Sequence, residues 1–409
     1  MKPEKLKICV VGCGGFSQNF VPLFLRHPAV GSVLVCDVIP ERAAEFAERF
    51  GVERVASFEE AIARPDVNAI AIFVPRHLHG PLAIAALQAG KHVYSAVPMA
   101  SRVDECREIV DLVRARDLVY MMGETCIYYP CSMFCKKEYR AGRFGKFTYG
   151  EAQYHHDLLH FGDLRRDMVA LAIPPLFYST HSVSMLLEAL GAHVTRVTAV
   201  GYRDNEPDTP YGVGKNPWDN LYSNEYSLMQ LSGGGTIRIN ECRRIGYKAP
   251  SSYISAFYGT QGAYQFHNAQ HLVTELTEEG VTLEDVSNEV NPIAMTAHRD
   301  DPDFLEKVAN HEWQKDDLAP VQEENLRARD LPPEYLAVPG GHMNSHRLLI
   351  DDFCTAVVRR EKPTVDAWKA ARFTVPGLIA HESACRNNEW LDVPDFGDAP
   401  ADYLKNSGC

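Results

Sequence analysis

Residues Ile8–Ser17, ICVVGCGGFS, decide how the N-terminal third of the chain folds. Ile8–Val11 is a short apolar, β-branched run, the composition of a buried strand, and glycine breaks it at Gly12. Basic residues precede the run as they do in a signal peptide, but four apolar residues are too few for one. The spacing that follows is Gly12-x-Gly14-x-x-Ser17, with Gly15 and Phe16 inside it and Ser17 where a third glycine usually stands. Gly12 suits a tight turn, and Gly14 lets the backbone approach a pyrophosphate. A helix starting near Ser17 offers that anion unpaired N–H groups. SVLVCD then reads as a second strand ending in Asp37. Its carboxylate stands about 20 residues beyond the motif, where the ribose diol of a dinucleotide is bound. A carboxylate there repels a 2′-phosphate, so the expected cofactor is NAD rather than NADP.

Working outward, helical and strand-like segments alternate as far as LVYMMGE, which predicts a parallel, doubly wound sheet. After Gly123–Thr125 the pattern changes to longer, alternating strands such as FTYGEAQYH, RVTAVGYR and TIRINECRR. The expected class is α/β: a Rossmann domain over residues 1–125, then an α+β domain over 126–409 with an open, mainly antiparallel sheet. Asp204–Asn216 and Asn288–Pro339 read as loops or insertions. With 409 residues, two domains are the default. Apolar residues at 45% and charged residues at 23% fit a globular chain, and no apolar run reaches membrane-span length. A net charge of −13 argues against nucleic acid or an anionic membrane as partner. Eleven scattered cysteines without a CxxC pair suit buried thiols in a reducing cytoplasm.

VVGCGGFS, RHLHGPLAIAALQAGKHV, VDECREIVDL and THSVSMLLEALG together resemble the Gfo/Idh/MocA oxidoreductases over nearly the whole chain. Ordinary members read Glu-Lys-Pro where this chain has Ala96-Val97-Pro98, and their lysine exchanges the proton of a sugar hydroxyl. They also carry an aspartate four residues before a histidine; here Phe177 stands in its place and His181 remains. The departures resemble a branch of NAD-dependent α-N-acetylgalactosaminidases, with Val-Pro and a Tyr-Pro-Thr-His segment, here Tyr178-Ser179-Thr180-His181. That branch also has a glutamate at a strand end and an aromatic-x-His-Asp run, matched by Glu124 and by Tyr154, His156 and Asp157. Ala96, Ser179 and Ser182 differ from it, so the substrate need not be shared.

The resemblance implies glycoside cleavage by transient oxidation at C3, elimination across C1–C2, water addition and re-reduction. It assigns catalysis to His181, Tyr178, Tyr154 and Glu124, and sugar contacts to His156 and Asp157. The dinucleotide falls to Gly12, Gly14, Gly15, Phe16, Ser17, Asp37, Val74, Pro75, His79 and Pro98. Arg165 and Arg166, with Arg243 and Arg244, would favour an anionic, for instance sulfonated, sugar if they faced the pocket. Each side chain also has an ordinary structural use: Tyr154 can simply pack on its strand, and Glu124 can cap or ion-pair. The cluster His155, His156, Asp157, His160 lacks clear second ligands, so no metal is expected. The expected partners are a small carbohydrate and further copies of the chain in a homo-oligomer. A sugar dehydrogenase with net hydride release and a non-catalytic NAD sensor are the competing readings.

Overall fold

The six strands of the first sheet follow from the β-branched runs: β1 Leu6–Val11, β2 Val30–Cys36, β3 Glu53–Arg54, β4 Ala69–Ile72, β5 His92–Ser95 and β6 Tyr120–Met122. The computed structural model describes residues 5–157, 172–245, 252–267, 270–278, 280–292, 302–303 and 318–404. In it these strands lie in the order β3-β2-β1-β4-β5-β6 with every neighbouring pair parallel. Parallel strands buried on both faces read as continuous apolar runs, and Ala69–Ile72 is buried throughout. This is the doubly wound arrangement expected from the sequence.

The second sheet holds β7 Phe147–His155, β8 Val194–Arg203, β9 Tyr222–Leu231, β10 Thr236–Cys242, β11 Ser252–Gly259, β12 Gly262–His267, β13 Gln270–Thr277, β14 Gly280–Asp285 and β15 Leu391–Asp392. Their order is β14-β13-β12-β11-β7-β10-β9-β8-β15. All pairs are antiparallel except β7 with β10, so the sheet is mixed but mainly antiparallel. The helix Thr180–Leu190 packs on β7, β10 and β11. It is buried from Thr180 to Ala189 and ends at Gly191 in the left-handed region.

The chain divides into two units, the first made of Met1–Thr125, Arg329–Arg372 and Phe396–Cys409, the second of Cys126–Ala328 and Phe373–Asp395. The boundary after Thr125 coincides with the change of pattern in the sequence, but two later segments join the first unit instead of the second. The reason is the open edge of β6. The Met122 N–H donates to the Val365 carbonyl at 3.1 Å, and the Tyr403 hydroxyl donates to the Leu118 carbonyl at 2.7 Å. Trp368, 2% exposed, packs edge-on against Tyr403 with ring centroids 5.1 Å apart. A second difference concerns Asn288–Pro339, read as loop, which contains the helices Pro320–Arg327 and Pro333–Leu336. Each begins on a proline, which tolerates the first helical turn because its missing N–H is unpaired there anyway.

Candidate active site

In the first unit the motif loop is shaped by steric necessity. Gly12 has φ +96°, and a Cβ there would sit 2.3 Å from the Phe73 carbonyl oxygen. A Cβ at Gly14 or Gly15 meets nothing within 4 Å, so the loop presents open backbone on the side where a pyrophosphate would lie. Ser17 is fully buried and its hydroxyl donates to the Gly14 carbonyl at 3.0 Å, closing the loop that a third glycine would otherwise leave open. One expectation needs correction: Ser17–Asn19 is a 3₁₀ turn, and the α-helix proper starts at Val21 with Pro22 in its first turn. Asp37 accepts from the N–H groups of Cys13 (2.7 Å) and Ile39 (2.8 Å). A carboxylate has about four acceptor directions, which leaves room for ribose hydroxyls. Beside it Val38 is 97% exposed and Ile39 is 39% exposed, an apolar surface suited to the flat face of a base. The loop therefore fits a dinucleotide. Replacing Gly12 by alanine is expected to cost about 1–3 kcal/mol of stability and to weaken NAD binding; chemical unfolding and a nucleotide titration of the same variant check both.

Val74 is half-buried and Pro75 exposed at the end of β4, and Pro98 is buried after β5. His79, buried, ties the two loops together: Nδ1 lies 2.7 Å from the Pro98 carbonyl oxygen and Nε2 lies 2.9 Å from that of Val74. Burial pushes its pKa down against the pull of the two carbonyls, which only a protonated ring could serve at once. His79 thus braces the two loops that the sequence assigned to the cofactor. Ala96, Val97, Pro98 and Met99 are all buried. Glu124, two residues past β6, is fully buried, and its carboxylate acts with burial to raise the pKa of Tyr94.

In the second unit strand register places the chemistry. Tyr154 on β7 pairs with Glu241 on β10, and Glu241 pairs with Glu225 on β9, so the three side chains form one row on one face. The turn Pro175–Tyr178 and the start of the helix Thr180–Leu190 bring in Tyr178 and His181. Tyr178 closes the 3₁₀ turn that precedes the helix carrying His181. The rings nevertheless converge, with centroids 5.1 Å apart for Tyr154 and His181, 4.9 Å for Tyr178 and His181, and 5.6 Å for Tyr154 and Tyr178. The Tyr154 hydroxyl lies 2.9 Å from His156 Nδ1, whereas strand alternation turns His155 to the other face. Asp157, buried, accepts from the Ile245 N–H at 3.1 Å.

Arginine is the residue whose part the sequence left open. The Arg243 guanidinium, 1% exposed, lies 4.7 Å from the Tyr154 ring centre and 5.8 Å from that of Tyr178. It donates to Glu241 at 2.9 Å and to the carbonyls of Tyr154 and Pro175, each at 3.3 Å. Glu241 in turn accepts from the Ser182 hydroxyl. Arg244 is held by Asp204 and Asp208. Both arginines are therefore engaged by carboxylates and give no support to an anionic sugar. Arg165, Arg166 and His160 lie outside the described residues.

The second row carboxylate, Glu225, accepts from the Leu176 N–H at 2.9 Å and lies 2.7 Å from His381 Nδ1. Phe177, at the position where the sequence resemblance expects an aspartate, packs edge-on against His381 with centroids 5.2 Å apart. The turn docks closely because residue 377 is glycine: a Cβ there would sit 2.0 Å from the Leu176 carbonyl oxygen. Glu225, Glu241 and His381 were not singled out in the sequence, since only the register of three strands reveals them.

Comparison with known proteins bears on both units. Residues 6–124 match the family model described as oxidoreductase family, NAD-binding Rossmann fold. A glycosyl hydrolase family 109 protein of Saccharopolyspora erythraea is 23% identical, over 96% of this chain and 83% of its own length. One of Streptomyces niveus is 25% identical, over 96% of this chain and 77% of its own length. Among solved structures, levoglucosan dehydrogenase in complex with NADH and levoglucosan superposes with a TM-score of 0.70 at 20% identity, covering 96% of this chain and 100% of that one. At that identity the likeness speaks for the fold alone. Among the described residues, no helix is long and apolar enough to cross a membrane.

Proposed function

We propose that the chain, whose residues 6–124 match the Gfo/Idh/MocA oxidoreductase family model, is an NAD⁺-dependent glycoside hydrolase acting on a pyranoside through a transient 3-keto sugar. The observation that carries the reading is the convergence of Tyr154, Tyr178 and His181 over the buried Arg243, in a chain with Val97 in place of the usual lysine. Relatives named for glycoside hydrolysis over nearly the full chain lend it support.

When bound, NAD supplies a hydride acceptor and donor for C3 of the sugar. His181 takes the O3 proton as C3 becomes a ketone and returns it at the end of the cycle, the task of a positioned acid–base group. The ketone acidifies the neighbouring C2 proton, and Tyr154 removes it. Arg243 sets a cation beside the ring that must carry negative charge at that moment. His156, in contact with the Tyr154 hydroxyl, serves as the next station for the proton. Loss of the C1 substituent leaves a C1–C2 double bond, water adds at C1, and Tyr154 gives the proton back at C2. Tyr178 assists at O3, Glu124 orients a sugar hydroxyl, and Asp157 contributes by holding the backbone at Ile245.

The test is a panel of α- and β-aryl glycosides with NAD⁺ in D₂O, following aryl release, absorbance of reduced nicotinamide and deuterium at C2 of the product. Aryl release with deuterium at C2 and no accumulation of reduced cofactor is the expected result. One equivalent of reduced cofactor with the glycoside intact would make the protein a sugar dehydrogenase. Turnover of no sugar at all would leave the sensor reading.

A further inference from the structure

Of the ten described cysteines, nine are buried and Cys385 is exposed. It ends the helix Ala367–Cys385, one turn beyond His381, so the two side chains share a helix face. Cys385 Sγ lies 3.5 Å from His381 Nε2, while His381 Nδ1 lies 2.7 Å from a carboxylate oxygen of Glu225. Glu225 is fully buried and fixed by the Leu176 N–H, so it cannot turn away from the imidazole. The order is that of an activated nucleophile: a sulfur, a base within reach, and an acid that orients the base.

We propose that Cys385, His381 and Glu225 form a nucleophilic thiol site, separate from the tyrosine–histidine cluster, that reacts with small soft electrophiles. The electrostatics agree with the geometry. Burial draws the His381 pKa down, but the Glu225 carboxylate, with help from Cys385, carries it up to about 10. The imidazole is then a cation at neutral pH and stabilises the thiolate, the reactive form of cysteine. The titratable groups facing the pair are Glu225 and Tyr222 from β9, with Arg203 of β8 acting on Tyr222; burial, then Cys385, raises the Tyr222 pKa. Phe177 and Tyr222 both present their rings to His381. Glu382 and Arg386, on the same stretch of chain, pair with each other. Cys385 itself is exposed.

With iodoacetamide the step balances simply. The thiolate sulfur forms a bond to the methylene carbon, the carbon–iodine bond breaks, and iodide leaves with the electron pair. His381 keeps its proton. The experiment measures the alkylation rate at Cys385 itself, by peptide mass spectrometry on the intact folded protein, from about pH 5.5 to about pH 9.5. An ordinary thiol reaches half its limiting rate near about pH 8.5. The expected result is a half-maximal rate below about pH 7.5 in the wild type, moved up to the ordinary value in His381→Gln. Glu225→Gln should move it part of the way, because the imidazole stays but loses its charged partner. A wild-type profile centred on the ordinary value overturns the proposal without any variant. A shifted profile that His381→Gln leaves unchanged overturns it as well.

Discussion

Replacing His181 by asparagine is expected to lower kcat by about 10²–10⁴-fold, the usual contribution of a positioned acid–base group. The substitution keeps a hydrogen-bonding side chain of similar reach at the second residue of a buried helix, so packing should change little. In the proposed mechanism it removes proton exchange at O3. Val97, buried, stands where the sequence resemblance expects the proton-exchanging lysine. The cofactor loop is built from Gly12, Gly14, Gly15 and Asp37 in a separate part of the chain, so NAD affinity should stay within a factor of about two to three of the wild type. Measuring kcat together with nucleotide binding separates the outcomes. A fall in both would mean that His181 shapes the protein rather than the chemistry, whereas an unchanged kcat would remove it from the mechanism.

The contrast between the two units shows which physics a sequence writes locally. In the dinucleotide unit, strand, turn and carboxylate all lie between Leu6 and Asp37, and each is dictated by neighbours in the chain. Gly12 must be glycine because Phe73 closes over it, yet its role is already visible from the spacing to Gly14 and Ser17. Tyr154, Tyr178 and His181 were legible as a resemblance in short motifs. The groups that support them were not. Glu225 and Glu241 come into one row with Tyr154, and Arg243 beside it, only through the pairing of β9 with β10 and the parallel pairing of β10 with β7, and register over such separations leaves no periodic trace in the sequence. His381 reaches Glu225 from a helix more than 150 residues away. The helix start expected at Ser17 falls at Val21 for a smaller reason. A 3₁₀ turn and the first turn of an α-helix share the same residue preferences, and only hydrogen bonding distinguishes them.

Arg243→Met should destabilise the protein by about 3–5 kcal/mol, the cost of removing one partner from a buried ion pair. Glu241 is fully buried and would lose the guanidinium that neutralises it while keeping the Ser182 hydroxyl, and the carbonyls of Tyr154, Pro175 and Cys242 lose a donor. The second replacement decides how to interpret the first. If the loss arises from stranding a carboxylate, Glu241→Gln combined with Arg243→Met should recover a large part of it, since a neutral amide is far cheaper to bury than an unpaired charge. If instead Arg243 matters mainly as a bridge between the end of β7 and the turn that carries Tyr178, the double variant should stay as unstable as the single one. Urea unfolding of the wild type, both single variants and the double variant closes the cycle and gives the coupling directly. Activity adds an independent axis. A double variant that regains stability but not turnover would locate the value of Arg243 in the charge it holds beside the Tyr154 ring, which no methionine reproduces.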